Sequence, residues 1–170
     1  MDWFGALSRW LHFFFGIMWI GLLYYFNFVQ VQAVAQANAA ADGSAKGITK
    51  FVAPRALNFF RWSALGTWLM GVALLADLGG GQGLSAFALS PPFTAIGVGA
   101  WLGTLMALNV WLIIYPNNMR ALGFVEGLSD EEKAKSRRLG FLMSRTNVML
   151  SVPMLFFMAF GFTHRAIVGL

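Results

Sequence analysis

The sequence contains no cysteine, and charged residues are scarce among its 170 positions. Without thiols the chain cannot form disulfides, bind an iron–sulfur cluster through thiolates or attach a c-type haem covalently. Charged residues are 11% of the chain, against roughly 25% in an average soluble protein. A soluble domain must cover a large surface with polar groups. The shortage of charge therefore excludes a soluble enzyme, a disordered tail and a free-standing nucleic-acid binder.

Apolar residues are abundant instead, at 58% of the chain with a mean hydropathy of +0.65. They form runs long enough to cross a bilayer, since a transmembrane helix needs about 20 mainly apolar residues. These runs lie at about 3-28, 54-76, 93-115 and 140-162. Strands are excluded because a barrel strand spans only about 9–11 residues. The sequence predicts an all-α polytopic membrane protein, a four-helix transmembrane bundle in which 1-170 forms a single membrane domain.

Basic residues are distributed unevenly over the predicted loops. Most lie in or beside the loops 29-53 and 116-139, whereas the loop 77-92 has none. Cationic loops stay on the cytoplasmic side. We therefore predict cytoplasmic loops at 29-53 and 116-139, an outer loop at 77-92, and both termini outside. This is the topology of a multi-pass protein of a bacterial inner membrane with periplasmic N- and C-termini.

Small residues in the third span recur at every fourth position. We call Ala95, Gly99, Gly103 and Ala107 the small-residue stripe. Such a stripe is typical of close helix packing in lipid, so we expect another helix to contact it, from this chain or from a partner. The edge of a pigment or haem is the alternative occupant.

Polar side chains inside the spans are few, and each needs a partner in lipid. Four amides are predicted to form hydrogen bonds between helices: Asn27, Asn58, Asn109 and Asn147. Three arginines near span ends are expected to extend to the membrane surface or to pair with an anion: Arg9, Arg61 and Arg145. No Asp, Glu or Lys lies deep in a span, which disfavours an ion-coupled transporter.

The two histidines, His12 and His164, are predicted to lie at the same outer margin, because the first span starts there and the fourth ends there. A b-type haem is held by axial side chains such as His or Met. Gly16 and Trp19 follow His12 by one and two turns on the same helix face, and a small residue beside a ligand leaves room for a macrocycle. We therefore take His12 and His164 as candidate haem b ligands, with Gly16 and Trp19 beside them. Packing through a hydrogen-bonded imidazole is the alternative for each histidine.

Other chemistry is not indicated by the sequence. It contains no cluster with the spacing of metal ligands, and no catalytic residue is assigned. The glycine-rich segment 79-83 is predicted to be a flexible turn. The sequence from Ser129 to Glu132 predicts a capping box at the start of a helix.

Segments of all four spans resemble one family, in order. These are Arg9-Trp10-Leu11-His12 with Gly16-Ile17-Met18-Trp19-Ile20-Gly21, then Arg61-Trp62 with Thr67-Trp68-Leu69-Met70-Gly71, then Asn109-Val110-Trp111 with Tyr115-Pro116-Asn117, and finally Ser144-Arg145-Thr146-Asn147 with Leu150-Ser151-Val152-Pro153. Together they resemble the first four spans of the membrane domain in the bacterial membrane-bound, cytochrome c-fused urate oxidases. The chain departs from that pattern where the family has a histidine and Thr146 stands here. It departs again where Gly161-Phe162 replaces an Asn-His pair, with His164 displaced by two positions.

The resemblance implies a membrane redox module that passes electrons to a periplasmic cytochrome c. Because this chain has four spans and no cytochrome c domain, it is not expected to be a complete enzyme by itself. The first hypothesis is a small subunit of a larger membrane redox or photosynthetic electron-transfer complex, with a structural or electron-relay role. The second is a b-type haem oxidoreductase acting on urate or a similar reductant, for which a dimer formed by self-association is one arrangement. The third is a transporter or other membrane protein without a redox role. Expected partners are the lipid bilayer and other membrane subunits, not nucleic acid.

Overall fold

The computed structural model describes residues 3–160, and this part of the chain is helical and contains no strand. Within it, four helices are long and apolar enough to cross a membrane. We number them α1 (Trp3–Ala40), α2 (Ser44–Asp77), α3 (Thr94–Ala121) and α4 (Asp130–Phe160). The prediction of an all-α, multi-pass membrane protein is confirmed. The side of the membrane on which the termini lie stays a prediction.

The helices run antiparallel to their chain neighbours and close into a ring. α1 packs along α2, and α3 packs along α4. The ring closes through polar contacts between α2 and α3, where Trp68 Nε1 donates to Thr104 Oγ1 at 3.0 Å, and between α1 and α4, where Tyr24 Oη lies 2.9 Å from Ser151 Oγ. The bundle therefore has two ends. One is formed by the connections 41–43 and 122–129 and carries most of the basic residues; we call it the basic end.

The first two helices extend well beyond their apolar runs, so the predicted loop 29-53 is largely helical. α1 continues to Ala40 and ends where Ala41 adopts a left-handed conformation with φ of 54°. The next helix, α2, begins at Ser44, whose backbone N–H donates to Asp42 Oδ1 at 2.8 Å. The second helix therefore begins ten residues before the apolar run that the sequence analysis places at about 54-76. Polar residues need no loop here, because a helix projecting into water can carry them.

Three of these helices contain one π-helical segment each, at Tyr25–Gln30, Ile48–Val52 and Val110–Ile114. Two of the segments end two residues before a proline, Pro54 or Pro116. Proline has no N–H to donate, and its ring clashes with the carbonyl four residues earlier. A locally widened helix accommodates both effects without ending. The prolines therefore lie inside α2 and α3.

The connection 77-92 is folded against the bundle, although the sequence predicts a flexible turn at its glycines. Gly79, Gly80 and Gly81 make a turn with positive φ, which leads into a 3-10 helix at Gln82–Ala88. Gly83 lies on the carbonyl of Leu75, and the helical Gly97 lies on the carbonyl of Ala86, each so closely that a Cβ would overlap it. These two glycines let the short helix contact the ends of α2 and α3.

The start of α4 is capped as the sequence predicts. Glu132 Oε2 accepts the backbone N–H of Ser129 at 2.8 Å, and Ser129 Oγ accepts the backbone N–H of Glu132 at 3.2 Å. This reciprocal pair is a capping box. It fixes the first turn of a helix whose charged first half leads into the apolar span.

Candidate functional site

The imidazole of His12 is used in the contact between α1 and α2. Nδ1 lies 2.8 Å from the carbonyl oxygen of Thr67. A carbonyl can only accept, so Nδ1 carries a proton, and in the neutral ring Nε2 keeps its lone pair. The ring lies on Gly71, where a Cβ would approach His12 Cε1 to 2.9 Å. The arrangement holds the ring in one tautomer and one orientation.

Of the described residues predicted to contact a haem, only His12 has surroundings that fit that role. Metal-ligating histidines usually donate their other ring N–H to a carbonyl or carboxylate, and Thr67 provides that carbonyl. Gly16 does not supply the predicted room for a macrocycle, because it faces α2 and a Cβ there would lie 3.7 Å from Thr67 Cγ2. Trp19 lies in the hydrophobic core at 2% exposure. His164 falls outside residues 3–160, so the predicted pairing of the two histidines stays a prediction.

The small-residue stripe is buried and reaches α4 of the same chain. The closest approach is at Gly99, where a Cβ would lie 3.2 Å from Phe157 Cβ and 3.3 Å from the backbone nitrogen of Met158. A Cβ at Gly103 would meet only Met158 Cε, at 4.0 Å. Of the two glycines in the stripe, Gly99 therefore lies closer to α4 than Gly103 does.

Buried amides join the helices inside the bundle. Asn147, fully buried on α4, donates from Nδ2 to the Met106 carbonyl at 3.0 Å, and its Oδ1 accepts from Asn109 Nδ2 at 3.0 Å. Asn27 on α1 donates to Ser144 Oγ on α4 at 2.8 Å. Asn58 differs from these three, because its Oδ1 accepts a local bond from Arg61 on α2.

A cleft of about 140 Å³ opens between all four helices towards the basic end. Its polar lining residues are Asn27, Gln30, Asn118, Arg137 and Ser144. Gln30 Oε1 is buried and accepts no hydrogen bond from the described residues. The cleft thus combines the Gln30 amide oxygen, which accepts no hydrogen bond from the described residues, with one cation, Arg137. No histidine, aspartate or glutamate is among its lining residues. Among residues 3–160, no three His, Asp or Glu side chains lie close enough to hold a metal ion.

Arg61 has surroundings that the sequence analysis did not recognise. Its guanidinium carbon lies 4.1 Å from the ring centroid of Tyr115, and 5.3 and 5.4 Å from Trp62 and Trp111. The signal in the sequence was Trp111 and Tyr115, four residues apart on one face of α3. Their distance from Arg61 along the chain concealed the contact.

The chain matches no family model, no curated protein and no solved structure. The proposal for the function of this chain therefore rests on its own residues.

Proposed function

We propose that this chain is a small integral-membrane subunit of a larger membrane redox or photosynthetic electron-transfer complex, with a structural or electron-relay role. One observation carries the proposal: several polar groups inside the bundle form hydrogen bonds from one helix to another. Asn147, Asn27 and the Nδ1 of His12 each bond to a neighbouring helix. An interior built this way supports a fixed scaffold better than a transport path. The ordered motifs of the urate oxidase membrane domain support the redox setting.

A second candidate is a b-type haem oxidoreductase, similar to urate oxidase, that passes electrons to a periplasmic cytochrome c. The tautomer of His12 favours it, because Nε2 is left with a lone pair for iron. A bound haem would supply one-electron transfer. The chain's own part would be to hold the ring, through the Thr67 carbonyl and the flat surface at Gly71. His164 stays the proposed second ligand.

The proposed location is the bacterial inner membrane with both termini periplasmic. Lys46, Lys50, Arg120 and Arg137 all belong to the basic end of the bundle, and cationic ends favour the cytoplasm. His12 lies towards the opposite end, which the proposal places next to the periplasm.

A reduced-minus-oxidised absorption spectrum separates a structural subunit from a haem carrier when the protein is purified from its own membranes in mild detergent. A structural subunit is expected to copurify with larger subunits and to add no b-haem band of its own. A haem carrier is expected to show that band, to lose it in His12→Ala, and to show urate-dependent reduction of cytochrome c if the second candidate holds.

His164→Ala tests the proposed second ligand in the same way. Loss of the band in both variants would identify a bis-histidine site. A well-folded protein that purifies without other subunits and without haem would contradict both candidates. Folding of each variant is checked by its thermal unfolding midpoint.

A further inference from the structure

The guanidinium of Arg61 is held on the outer surface of α2 and α3 by aromatic rings. It stacks 4.1 Å above Tyr115, with Trp62 and Trp111 at its sides. The two indoles also contact each other, edge to face, with 5.2 Å between ring centroids. Cation–π contacts of this kind favour a cation that is only partly exposed to water. Arg61 is therefore fixed in place and not free to sweep the surface.

The hydrogen bonds of this cluster leave one side of the guanidinium unused. Arg61 Nε donates to Asn58 Oδ1 at 3.1 Å, and Trp111 Nε1 donates to the Arg61 carbonyl at 2.9 Å. Within residues 3–160, no protein acceptor or carboxylate contacts the two Nη groups. Two parallel N–H donors on a planar, preorganised cation match the oxygens of a phosphate.

An apolar groove of about 200 Å³ starts beside this cation and runs between α2 and α3 towards the middle of the bundle. It is lined by Leu65, Trp68, Thr104, Ala107, Leu108 and Trp111. Trp111 belongs to both features. The groove from Arg61 to Trp68 covers two helical turns, about 10 Å. The Thr104 hydroxyl already accepts from Trp68 and donates to the Ala100 carbonyl, so the groove offers an apolar surface.

The position and the charge of this end favour a lipid. The helix between Arg61 and Asp77 rises about 24 Å, which places Arg61 near the headgroup level of a hydrocarbon core about 30 Å thick. Between Gly43 and Ala76, and between Thr94 and Val125, the sequence contains Lys and Arg but no Asp or Glu. Basic pockets between helices at this level bind anionic headgroups.

We propose that the groove between α2 and α3 binds one anionic phospholipid. Its phosphate contacts the Nη groups of Arg61, and part of one acyl chain lies in the groove along Leu65, Leu108 and Ala107. Tyr115, Trp62 and Trp111 position the cation, and Trp111 also forms the wall where headgroup and chain meet. This assignment is independent of any redox role of the chain.

Native mass spectrometry of the delipidated full chain in detergent tests the site, with dioleoyl phosphatidylglycerol and dioleoyl phosphatidylcholine added at matched concentrations. We expect the wild type to retain one phosphatidylglycerol and to prefer it to phosphatidylcholine. Arg61→Gln should raise the midpoint for phosphatidylglycerol binding at least about fivefold, from the loss of one surface cation. Equal binding of the two lipids by the wild type would contradict the proposal.

Arg145→Gln is the matched control. Arg145 also stacks on a ring, Phe141, at 5.0 Å, but it lies on α4, away from the groove. Its loss should leave the midpoint unchanged, and an equal effect of the two arginine variants would contradict a specific site. If Arg61→Gln does not fold, Arg61→Lys keeps the charge, loses the planar fork and should still weaken binding, whereas unchanged binding in Arg61→Lys would count against the proposal.

Leu108→Trp tests the groove separately, by filling it while leaving Arg61 intact, because Leu108 lines the groove, is 49% exposed and lies outside the small-residue stripe. It should weaken phosphatidylglycerol binding without changing the thermal midpoint of the lipid-free protein by more than a few degrees. Unchanged binding would show that the acyl chain lies elsewhere and would overturn the proposal. Full competition by soluble glycerol phosphate would overturn it too, because the headgroup alone would then account for binding.

Discussion

The two antiparallel helix pairs of the bundle come together by different means. Between α1 and α2, rings from one helix lie on glycines of the other. A Cβ at Gly66 would lie 2.8 Å from Cγ and Cδ2 of Phe15, and one at Gly71 would lie 2.9 Å from Cε1 of His12. The contact is made by side chains that have their own torsional freedom.

Between α3 and α4, the closest approach involves backbone. Gly99 faces the Cβ of Phe157 and the backbone nitrogen of Met158, and the Asn109–Asn147 amide bond lies further along the same pair. Neither a Cβ nor a backbone nitrogen can rotate away from an added atom. Glycines in the two pairs should therefore differ in how well they tolerate a larger side chain. An aromatic side chain can move away from an added atom, whereas two helix backbones have to separate.

The largest effect is expected for Gly99→Leu. The added side chain would force α3 and α4 apart, and overpacking of this kind lowers the free energy of unfolding by up to about 3 kcal/mol. Unfolding in mixed micelles with increasing sodium dodecyl sulfate measures it. Gly21→Leu is the control, because a Cβ at Gly21 meets no atom within 4 Å. Gly103→Leu should fall between the two. Equal stability of the Gly99 and Gly21 variants would contradict the backbone contact.

The next effect is expected for Asn147→Leu, which removes both interhelical bonds of a fully buried amide and leaves Asn109 without its acceptor. Hydrogen bonds between membrane helices contribute about 0.6 kcal/mol on average and up to about 1.7. A loss of about 1 to 2 kcal/mol follows. Thr146→Val is the neighbouring control, since the Thr146 hydroxyl bonds only to the Leu142 carbonyl of its own helix. If both variants lose the same stability, the amide bonds do not hold the pair together.

Much of the fold could be predicted from composition and run length. Four apolar segments of about 20 residues leave little choice in a bilayer. Helix ends in water were less predictable. The sequence predicts a loop over 29-53, but α2 extends through 44–53 to Ser44. The π-helical segment before Pro116 also leaves no mark in an apolar sequence other than the proline itself.

The candidate site could be predicted only in part. The asparagines indicated polar contacts, because an amide in lipid needs a partner, but nothing in the spacing distinguished local Asn58 from bridging Asn147. The four-residue repeat of the small-residue stripe indicated close packing without showing which glycine lies nearest. The surroundings of Arg61 depend on how α2 and α3 are aligned, and that alignment is a tertiary property that no local pattern contains.

The smallest of these effects, and the most direct test of the comparison, is expected for Gly66→Ala. The new methyl group would press on Phe15, whose side chain can move by a change in χ1 at some cost, so we expect a loss of about 1 kcal/mol in the free energy of unfolding. Phe15→Ala removes the three ring atoms that the methyl group meets, Cγ, Cδ1 and Cδ2. The double variant should therefore lose less than the sum of the single variants, with an interaction energy of about 1 kcal/mol.

The matched cycle in the other pair joins Gly99→Ala with Met158→Ala. Trimming Met158 removes Cε, 3.4 Å from the added Cβ, but leaves the backbone nitrogen at 3.3 Å and Phe157 Cβ at 3.2 Å. The two losses should therefore add, with no rescue. Rescue in both cycles would mean that side chains mediate both contacts, and rescue in neither would mean that the Phe15 ring is as rigid as backbone. Only rescue confined to α1–α2 is consistent with two kinds of helix contact in one bundle.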